Sequence, residues 1–541
     1  MIRVLFFYVS AMLPIIAFGQ KQTVYKVGAS TVSIEPGNSV FSLALAGYGF
    51  PGEGRFSVTW EETDALPPNA SDEDVNQWND DAPVVFISAA RYGNQVYALG
   101  NDRVLYKKHL APYNTSWVKA GYKNGETYAI DPERIVVGND HLYAVGADNK
   151  IYRAKHSSRG DLSARAIVIN SGKNTVALVS VDLCGFDYAF TQEVKKEISK
   201  KTKIPVEAVL INATHTHFAP VPQNYPSWPV FGQQPDPVYL DQAVKKGIVT
   251  SVTNALKNSK KSTIRTGRSQ SMIGRNRSLS GVDGLYDSTL DVIRFESTDG
   301  KDKNVLFINA CHPVFRNEGK ERYTMSANFP GVARQLVEKK ASVRNAIFFQ
   351  GCAGDINPLN DDYHETGTLL AQDVIETLSE SMHPVSGPVS YATDSILFSV
   401  SPWNIEKIRE FRAQHLNSRG DLEAEKNVRW ADRMLSLYEK NEMPNVMPVY
   451  VQTINIGNWK LVGLSREAVT EYSLKIRELW PGQFVSAVSY CNDVSSYLPN
   501  AAHVRAQNYE GFNSFLWYGS PAFFPENTLD IVIDFIKKQN K

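Results

Sequence analysis

Apolar runs that stop at polar residues recur along this chain and predict the strands of a sheet. One run, residues 206–211, ends shortly before His215 and His217, and another, residues 305–308, ends shortly before His312. Short apolar runs bounded in this way are typical of buried strands. Because residues two apart on an extended strand point to the same face, His215 and His217 are expected to face one cleft.

An amphipathic pattern over residues 186–201 predicts a helix between the apolar run that contains Asp182 and the run that precedes His215. Strand, helix and strand in this order are typical of a crossover unit, which joins parallel strands. The chain is therefore predicted to be an α/β protein whose core is a mixed, largely parallel sheet with flanking helices. Binding and catalytic groups gather at the carboxyl ends of the strands in such sheets.

A segment with a different pattern interrupts the predicted sheet after its first strand. Residues 97–107 match residues 143–153, and each copy predicts two short strands joined by a polar turn. Two copies cannot close a propeller, so we predict a small antiparallel β domain over 51–159, inserted into a catalytic domain of residues 20–50 and 160–541. Its tyrosines are expected to pack across strands, with the binding of sugar rings as the alternative.

The first 19 residues predict a cleavable secretory signal. Arg3 precedes a short apolar run, and Ala17 and Gly19 provide the small residues of a cleavage site. The run is too short to predict a membrane span, and no later stretch is apolar enough for one. We therefore expect an exported protein, periplasmic or extracellular, with no transmembrane segment in the mature chain.

Composition narrows the kinds of partner. The 541 residues include 57 basic and 57 acidic side chains, so the formal net charge is zero and bulk charge attracts no nucleic acid. The four cysteines would form two disulfides in an exported protein or remain buried thiols, and none has the paired spacing of a thiolate metal site. They are Cys184, Cys311, Cys352 and Cys491.

Several polar motifs follow one another in a fixed order along the chain. They are residues 213–217 (ATHTH), Asn276-Arg277-Ser278, His312, Gly354-Asp355-x-Asn357-Pro358, Glu467, the segment from Asn492 to Tyr497, and Tyr509-Glu510. In this order the chain resembles the catalytic domain of the neutral, non-lysosomal ceramidase family. The resemblance covers nearly all of the chain from about residue 25 onward, apart from the insert.

The resemblance implies a catalytic Zn²⁺ and the residues that hold it. Carried over one at a time, the ligands are His215, His312, Glu467 and Tyr497. A mixed nitrogen and oxygen set of this kind suits zinc and leaves a coordination position for water.

The resemblance also implies roles around the metal. His217 matches a histidine beside the water that zinc binds, and either His217 or Asp355 would accept a proton. Arg277 and Tyr509 would stabilise a developing oxyanion. The predicted substrate contacts are Asn276 and Asn357.

Departures from the family pattern change the expected substrate. Asn357 stands where ceramidases carry an essential serine, and an amide cannot act as a nucleophile. The chain ends at Lys541, soon after the tyrosine loop, without room for an immunoglobulin-like C-terminal domain. With the inserted repeat, these departures predict a divergent branch that keeps the zinc chemistry and does not act on ceramide.

The leading prediction is a secreted zinc-dependent hydrolase that cleaves an amide or ester bond in an N-acyl or O-acyl lipid or glycan. One alternative is a metal-assisted lyase on a uronate-containing polysaccharide, in which Arg277 neutralises the carboxylate and His217 or Tyr509 removes the adjacent proton. The other alternative is a glycan-binding protein that has lost catalysis.

Overall fold

The core of the molecule is one sheet of nine strands. The computed structural model describes residues 22–47, 54–121, 130–314, 319–417 and 420–539. Within them the sheet runs, in spatial order, through Val209–Ala213, Thr175–Val181, Ser163–Asn170, Tyr25–Ser33, Lys260–Gln270, Thr289–Ser297, Lys303–Asn309 and Asn345–Gln350, with His383–Pro384 beside Lys260–Gln270. Residues 1–19, with their predicted signal, lie outside the described part.

Strand directions differ from the predicted largely parallel arrangement. Across the described residues, the first two strands in the spatial order and the last two are parallel pairs, and the other pairings of this sheet are antiparallel. The predicted helix, observed as Tyr188–Thr202, joins the first parallel pair. Two pairs of antiparallel neighbours are joined by the short connections 171–174 and 298–302, which allow only antiparallel pairing. The core sheet is therefore mixed and mainly antiparallel.

The two parallel pairs meet because the sheet curves. The Asn212 side chain donates a hydrogen bond to the Gln350 carbonyl at 3.2 Å and accepts one from the Gln350 amide at 2.9 Å. These bonds join the carboxyl ends of the two outermost strands. The turns that carry His215 and His312 therefore lie side by side, with ring centroids 4.7 Å apart.

Helices cover the sheet and connect its strands. They are Tyr188–Thr202, Pro237–Tyr239 continuing through Leu240–Lys245 into Lys246–Lys257, Asn328–Lys340, Tyr363–Ser379, Ile405–His415, Leu422–Glu439, Glu471–Glu478, Ala501–Ala506, Tyr509–Asn513 continuing into Ser514–Trp517, and Thr528–Gln539. Several of their first turns are capped by side chains, as at Asp187, which accepts from the Phe190 amide at 2.8 Å.

A second sheet lies beside the first. Its strands, in spatial order, are Val389–Ser399, Val446–Ile456, Trp459–Leu464 and Phe484–Val488. Two small ladders accompany it, Gly274–Asn276 with Ile356–Pro358 and Glu467–Ala468 with Tyr497–Leu498. Some apolar residues of the second sheet pack with those of two C-terminal helices in one core cluster, and others join the cluster of the central sheet. The second sheet therefore packs directly against the core of the first.

The segment predicted as an insert contains two antiparallel sheets. In spatial order, one has the strands Val58–Thr63, Ile151–His156, His141–Gly146 and Pro132–Gly138, and the other has Phe86–Tyr92, Gln95–Gly100, Leu105–His109 and Val118–Gly121. The repeat corresponds to one hairpin in each sheet. Tyr106 donates to Asp102 at 2.8 Å, and Tyr152 donates to Asp148 at 2.7 Å, each inside its own hairpin. The domain boundaries themselves stay a prediction.

Two further features bear on the sequence-based expectations. All four cysteines are buried free thiols, so the disulfide alternative does not apply. Among the described residues, no helix combines the length and the apolar character that crossing a bilayer requires.

Candidate metal centre

Four side chains converge on one buried point between the two sheets. Glu467 Oε2 lies 3.1 Å from His215 Nε2 and 3.2 Å from His312 Nε2. His217 Nε2 lies 3.1 Å from His215 Nε2. His215, His312 and Glu467 are each at most 1% exposed. The structure thus brings together three of the four ligands that the sequence predicts, with His217 beside them.

Tyr497, the fourth predicted ligand, reaches the same point because of a short ladder. Glu467 and Tyr497 are direct partners in the parallel pairing of Glu467–Ala468 with Tyr497–Leu498. The Tyr497 hydroxyl lies 3.5 Å from His312 Nε2. Strand pairing therefore sets a carboxylate and a phenol side by side, although thirty positions separate them in the sequence.

The backbone around the centre turns sharply. His215, Arg466, Tyr490 and Asn492 all have left-handed backbone conformations, with φ between 58° and 68°. Residues other than glycine seldom adopt this backbone conformation, and those that do are often found at functional sites. At His215 the turn follows the strand end directly, and the His215 amide donates to the Leu183 carbonyl at 2.9 Å. The imidazole is thereby held in a fixed direction.

Backbone carbonyls orient both histidine rings. His215 Nδ1 is hydrogen-bonded to the Cys184 carbonyl, and His312 Nδ1 to the Ala353 carbonyl at 2.7 Å. Since a carbonyl only accepts, each Nδ1 carries a proton, and the neutral form of each ring would present an Nε2 lone pair to the centre. Metal-binding histidines are oriented in this way.

The donor set fits a metal such as zinc. Ligand atoms about 2.0–2.1 Å from a tetrahedral ion lie about 3.3 Å apart, close to the 3.1 Å, 3.2 Å and 3.5 Å separations here. Glu467 Oε2 is buried, and no described donor makes a hydrogen bond to it. A buried carboxylate oxygen between two imidazole lone pairs is an arrangement that a cation satisfies. The potential ligand atoms of His215, His312 and Glu467 all lie within 4.8 Å of one another, which is close enough to hold one metal ion.

Burial and neighbouring charges shift the pKa values of the three imidazoles. Burial opposes ionisation of His215, but the Glu467 carboxylate outweighs it and raises the pKa of His215 to about 10. Burial, with Arg277 nearby, lowers the pKa of His312 to about 4. Burial and the neighbouring imidazoles lower the pKa of His217 well below its usual range. The Glu467 carboxylate therefore favours positive charge at the centre.

Arg277 lies beside the centre in a network of its own. Its Nε donates to Glu510 at 2.8 Å, its Nη1 to the Asn357 side-chain oxygen at 3.2 Å, and its Nη2 to the Tyr497 hydroxyl at 2.9 Å. Three of the five guanidinium N–H donors are thus engaged by these residues. The charge is fixed next to Tyr497.

Asp355 and Asn276 support the loop that carries Arg277. Asp355 accepts hydrogen bonds from the Thr470 amide at 2.7 Å and from the Asn276 side chain at 2.7 Å, and its Oδ2 lies 3.2 Å from His503 Nε2. The side-chain oxygen of Asn276 accepts from the amides of Ser278 and Leu279 in its own turn. These contacts place Asp355 and Asn276 in the support of this loop, and their roles as proton acceptor and substrate contact stay predictions.

His217 and Tyr509 are more exposed than the buried ligands. Gly47, with φ 102°, faces His217 so closely that a Cβ on it would lie 2.6 Å from the His217 Cβ. Tyr509 is 37% exposed, and its ring packs 5.3 Å from the ring of Tyr497.

Three further residues contact the site, and the sequence predicts no role for any of them. His503 bridges Asp355 and Glu510, and Tyr518 donates a hydrogen bond to Glu467 Oε1. Asn492 accepts from the Ile211 amide at 3.1 Å and so holds the histidine strand, although it was noted only as part of a motif. No spacing or periodicity marks His503 or Tyr518, because their partners lie far away in the sequence.

Comparison with known proteins gives similarity in structure alone. No protein-family model matches the chain, and no curated protein matches it in sequence. The structure of neutral ceramidase from Pseudomonas aeruginosa aligns with a TM-score of 0.58 and 15% identity, over 96% of this chain and 75% of that chain. A structure of a ceramidase complexed with C2 aligns with a TM-score of 0.53 and 16% identity, over 69% of this chain and 68% of that one. The protein has a ceramidase-like fold.

Proposed function

We propose that this protein is a zinc-dependent hydrolase that cleaves an amide or ester bond in an N-acyl or O-acyl lipid or glycan. The observation that carries the proposal is the convergence of His215, His312, Glu467 and Tyr497 on one buried point. When bound, zinc lowers the pKa of a coordinated water to about 7 and polarises a carbonyl oxygen. The ceramidase-like fold supports an acylated substrate.

His217 is the proton acceptor in this proposal. Its Nε2 lies 3.1 Å from His215 Nε2, and the residue is half-buried. The lowered pKa keeps its imidazole neutral at pH 7, and only the neutral form accepts a proton. Gly47 packs against the ring and limits its rotation.

Arg277 and Tyr509 stabilise the negative charge that develops on the substrate oxygen. Burial opposes charge on Arg277, but Tyr497 and Glu510 outweigh it and raise the pKa of Arg277 well above its usual range, so the cation persists. The guanidinium carbon lies 5.8 Å from the Tyr509 ring centroid, which places the two side chains together. Fixed donors of this kind stabilise oxyanions most strongly where water is excluded.

Because Asn357 cannot act as a nucleophile, the nucleophile in this proposal is water. Asn357 stands where the resemblance places a serine, and its side-chain oxygen accepts from Arg277 at 3.2 Å. An amide offers no hydroxyl to attack a carbonyl. Asn357 therefore helps to orient the guanidinium, and a covalent acyl-enzyme at this position is excluded from the proposal.

The test measures activity on a panel of substrates with and without zinc. The full chain, as purified and after chelation and zinc addition, is incubated with N-acyl sphingoid lipids, N-acetylated sugars, O-acylated glycans and uronate oligosaccharides, and products are read by mass. The expected result is a zinc-dependent gain of one water in one acylated class. Products of unchanged total mass that absorb in the ultraviolet would show elimination and contradict hydrolysis.

Substitutions of the predicted ligands test where the metal binds. His215→Ala and Glu467→Ala are expected to lose bound zinc and activity together, because each removes a ligand of a buried set. His364→Ala, at an exposed histidine far from the ligand set in sequence, is the matched control and should keep both. Full zinc content in His215→Ala would refute the assigned site.

A further inference from the structure

The two oxygens of Glu467 have different partners. Oε2 faces His215 and His312, whereas Oε1 accepts a hydrogen bond from the Tyr518 hydroxyl. A carboxylate free of other contacts can bind a metal through one oxygen or both. In this protein Oε1 already accepts the hydrogen bond from Tyr518.

Tyr518 is held firmly in that position. Its amide donates to the Ser514 carbonyl at 3.1 Å, at the end of the helix Ser514–Trp517. The next residue, Gly519, has φ 64° and packs so closely on Pro226 that a Cβ would lie 2.5 Å from it. The chain therefore turns at one fixed place behind the tyrosine.

Neighbouring rings fix the orientation of the Tyr518 side chain. Its centroid lies 5.8 Å from the Tyr225 ring and 6.3 Å from the Tyr497 ring, both edge-on. The hydroxyl donates a hydrogen bond to Glu467 Oε1.

We propose that Tyr518 is a positioning residue that presents a single oxygen of Glu467 to the metal and keeps one coordination position open. This inference rests on the proposed zinc site. The hydrogen bond from Tyr518 orients Glu467 Oε1 away from the centre, so Oε2 alone faces the two imidazoles. Residues that orient ligands in this way change metal affinity or activity by about 10- to 100-fold when they are removed. The C-terminal segment of the chain thus takes part in the metal site without contributing a ligand.

Tyr518→Phe tests the inference because it removes one hydroxyl and keeps the ring. Zinc affinity is measured by competition with a chromophoric chelator, and coordination number by the intensity of the visible bands of the cobalt(II)-substituted protein. We expect affinity to fall about 10- to 100-fold, and the cobalt bands to weaken as Glu467 gains freedom to bind through both oxygens.

Tyr490→Phe is the matched control. Tyr490 packs its ring 4.4 Å from His215, but its hydroxyl is buried without a described hydrogen-bond partner, so its loss should leave affinity and spectrum unchanged. Melting of the metal-free proteins checks that both variants fold.

The outcomes separate this inference from the proposed function. Zinc affinity within twofold of the unmodified protein and an unaltered cobalt spectrum in Tyr518→Phe would overturn the positioning role while the zinc site stands. An unmodified protein that binds no zinc would overturn both. A weaker site in both Tyr→Phe variants would show a general packing effect and likewise overturn the specific role of Tyr518.

Discussion

Arg277 shows how one side chain of this site depends on distant parts of the chain. Its donors reach Glu510, Asn357 and Tyr497, and Glu510 in turn lies 3.5 Å from His503. A buried guanidinium is stable only when its donors are satisfied, and its geometry is fixed by planar partners. The identity of each residue was visible in the sequence, whereas the network that connects them was not.

His503 gives this network a pH dependence. Burial disfavours its charged form, but contacts with Asp355 and Glu510 outweigh burial and raise its pKa to about 9. Because the folded pKa exceeds the ordinary value near 6.5, the protonated ring stabilises the fold fully below about pH 6.5, and this contribution is lost as the pH rises through about 9. The shift corresponds to on the order of 3 kcal/mol.

The measurement is the free energy of unfolding in urea at pH 6.5 and pH 9.5, for the protein and for His503→Gln. The unmodified protein should be more stable than the variant at pH 6.5, and most of that advantage should vanish at pH 9.5. An advantage of equal size at both pH values would contradict the assigned ionisation.

At the scale of elements, short pieces of structure place the chemistry. The two-residue strands Glu467–Ala468 and Tyr497–Leu498 set two predicted ligands next to each other. A single carboxylate also connects the inserted β segment to the helices. Asp236 caps the helix that begins at Pro237, and it binds Lys107 at 2.5 Å and His109 at 2.8 Å, both of which lie in the inserted segment.

Asp236→Asn tests this junction. Asparagine caps helices as well as aspartate does, so the change isolates the loss of the buried ion pair with Lys107, whose side chain is 7% exposed. Breaking such a pair costs about 3–5 kcal/mol, which urea unfolding followed by tryptophan fluorescence would detect.

The control for that experiment is Glu62→Gln, in a pair with Lys150 whose side chains are 57% and 52% exposed. Exposed pairs contribute about 0–1 kcal/mol. Equal losses in the two variants would show that the Asp236 contact is not a special anchor.

At the scale of the whole molecule, the metal site joins residues that follow two different sheets. His215 and His312 follow strands of the central sheet, whereas Glu467 follows the second sheet, whose apolar residues are divided between the cluster of the central sheet and a cluster with the C-terminal helices. A ligand that binds only the folded state stabilises it in proportion to its excess over Kd. Metal binding is therefore expected to couple the two sheets.

Chelation provides the measurement. At zinc 1,000-fold above Kd, stabilisation amounts to about 4 kcal/mol, so removal of zinc with a chelator should lower Tm and zinc addition should restore it. His215→Ala should melt at the same temperature with and without the chelator. A chelator-insensitive unmodified protein would contradict the coupling.

The sequence by itself determined the local elements and the residue types of the site. Apolar runs marked the strands before His215 and His312, the amphipathic pattern marked the helix Tyr188–Thr202, and the repeat marked two matching hairpins. These are properties of neighbouring residues, because the direction of each side chain follows from its local period. The ordered motifs indicated the ceramidase-like fold that structural comparison confirms.

Only the tertiary structure decided strand direction and the partners of each site residue. A single crossover helix suggested a parallel core, but most neighbouring strands of the sheet pair in the antiparallel direction, several of them across long stretches of chain. Tyr518 meets Glu467, and His503 meets Asp355, through chain paths that no local pattern encodes. Contacts between residues far apart depend on how whole sheets curve and pack, and that packing is a property of the complete fold.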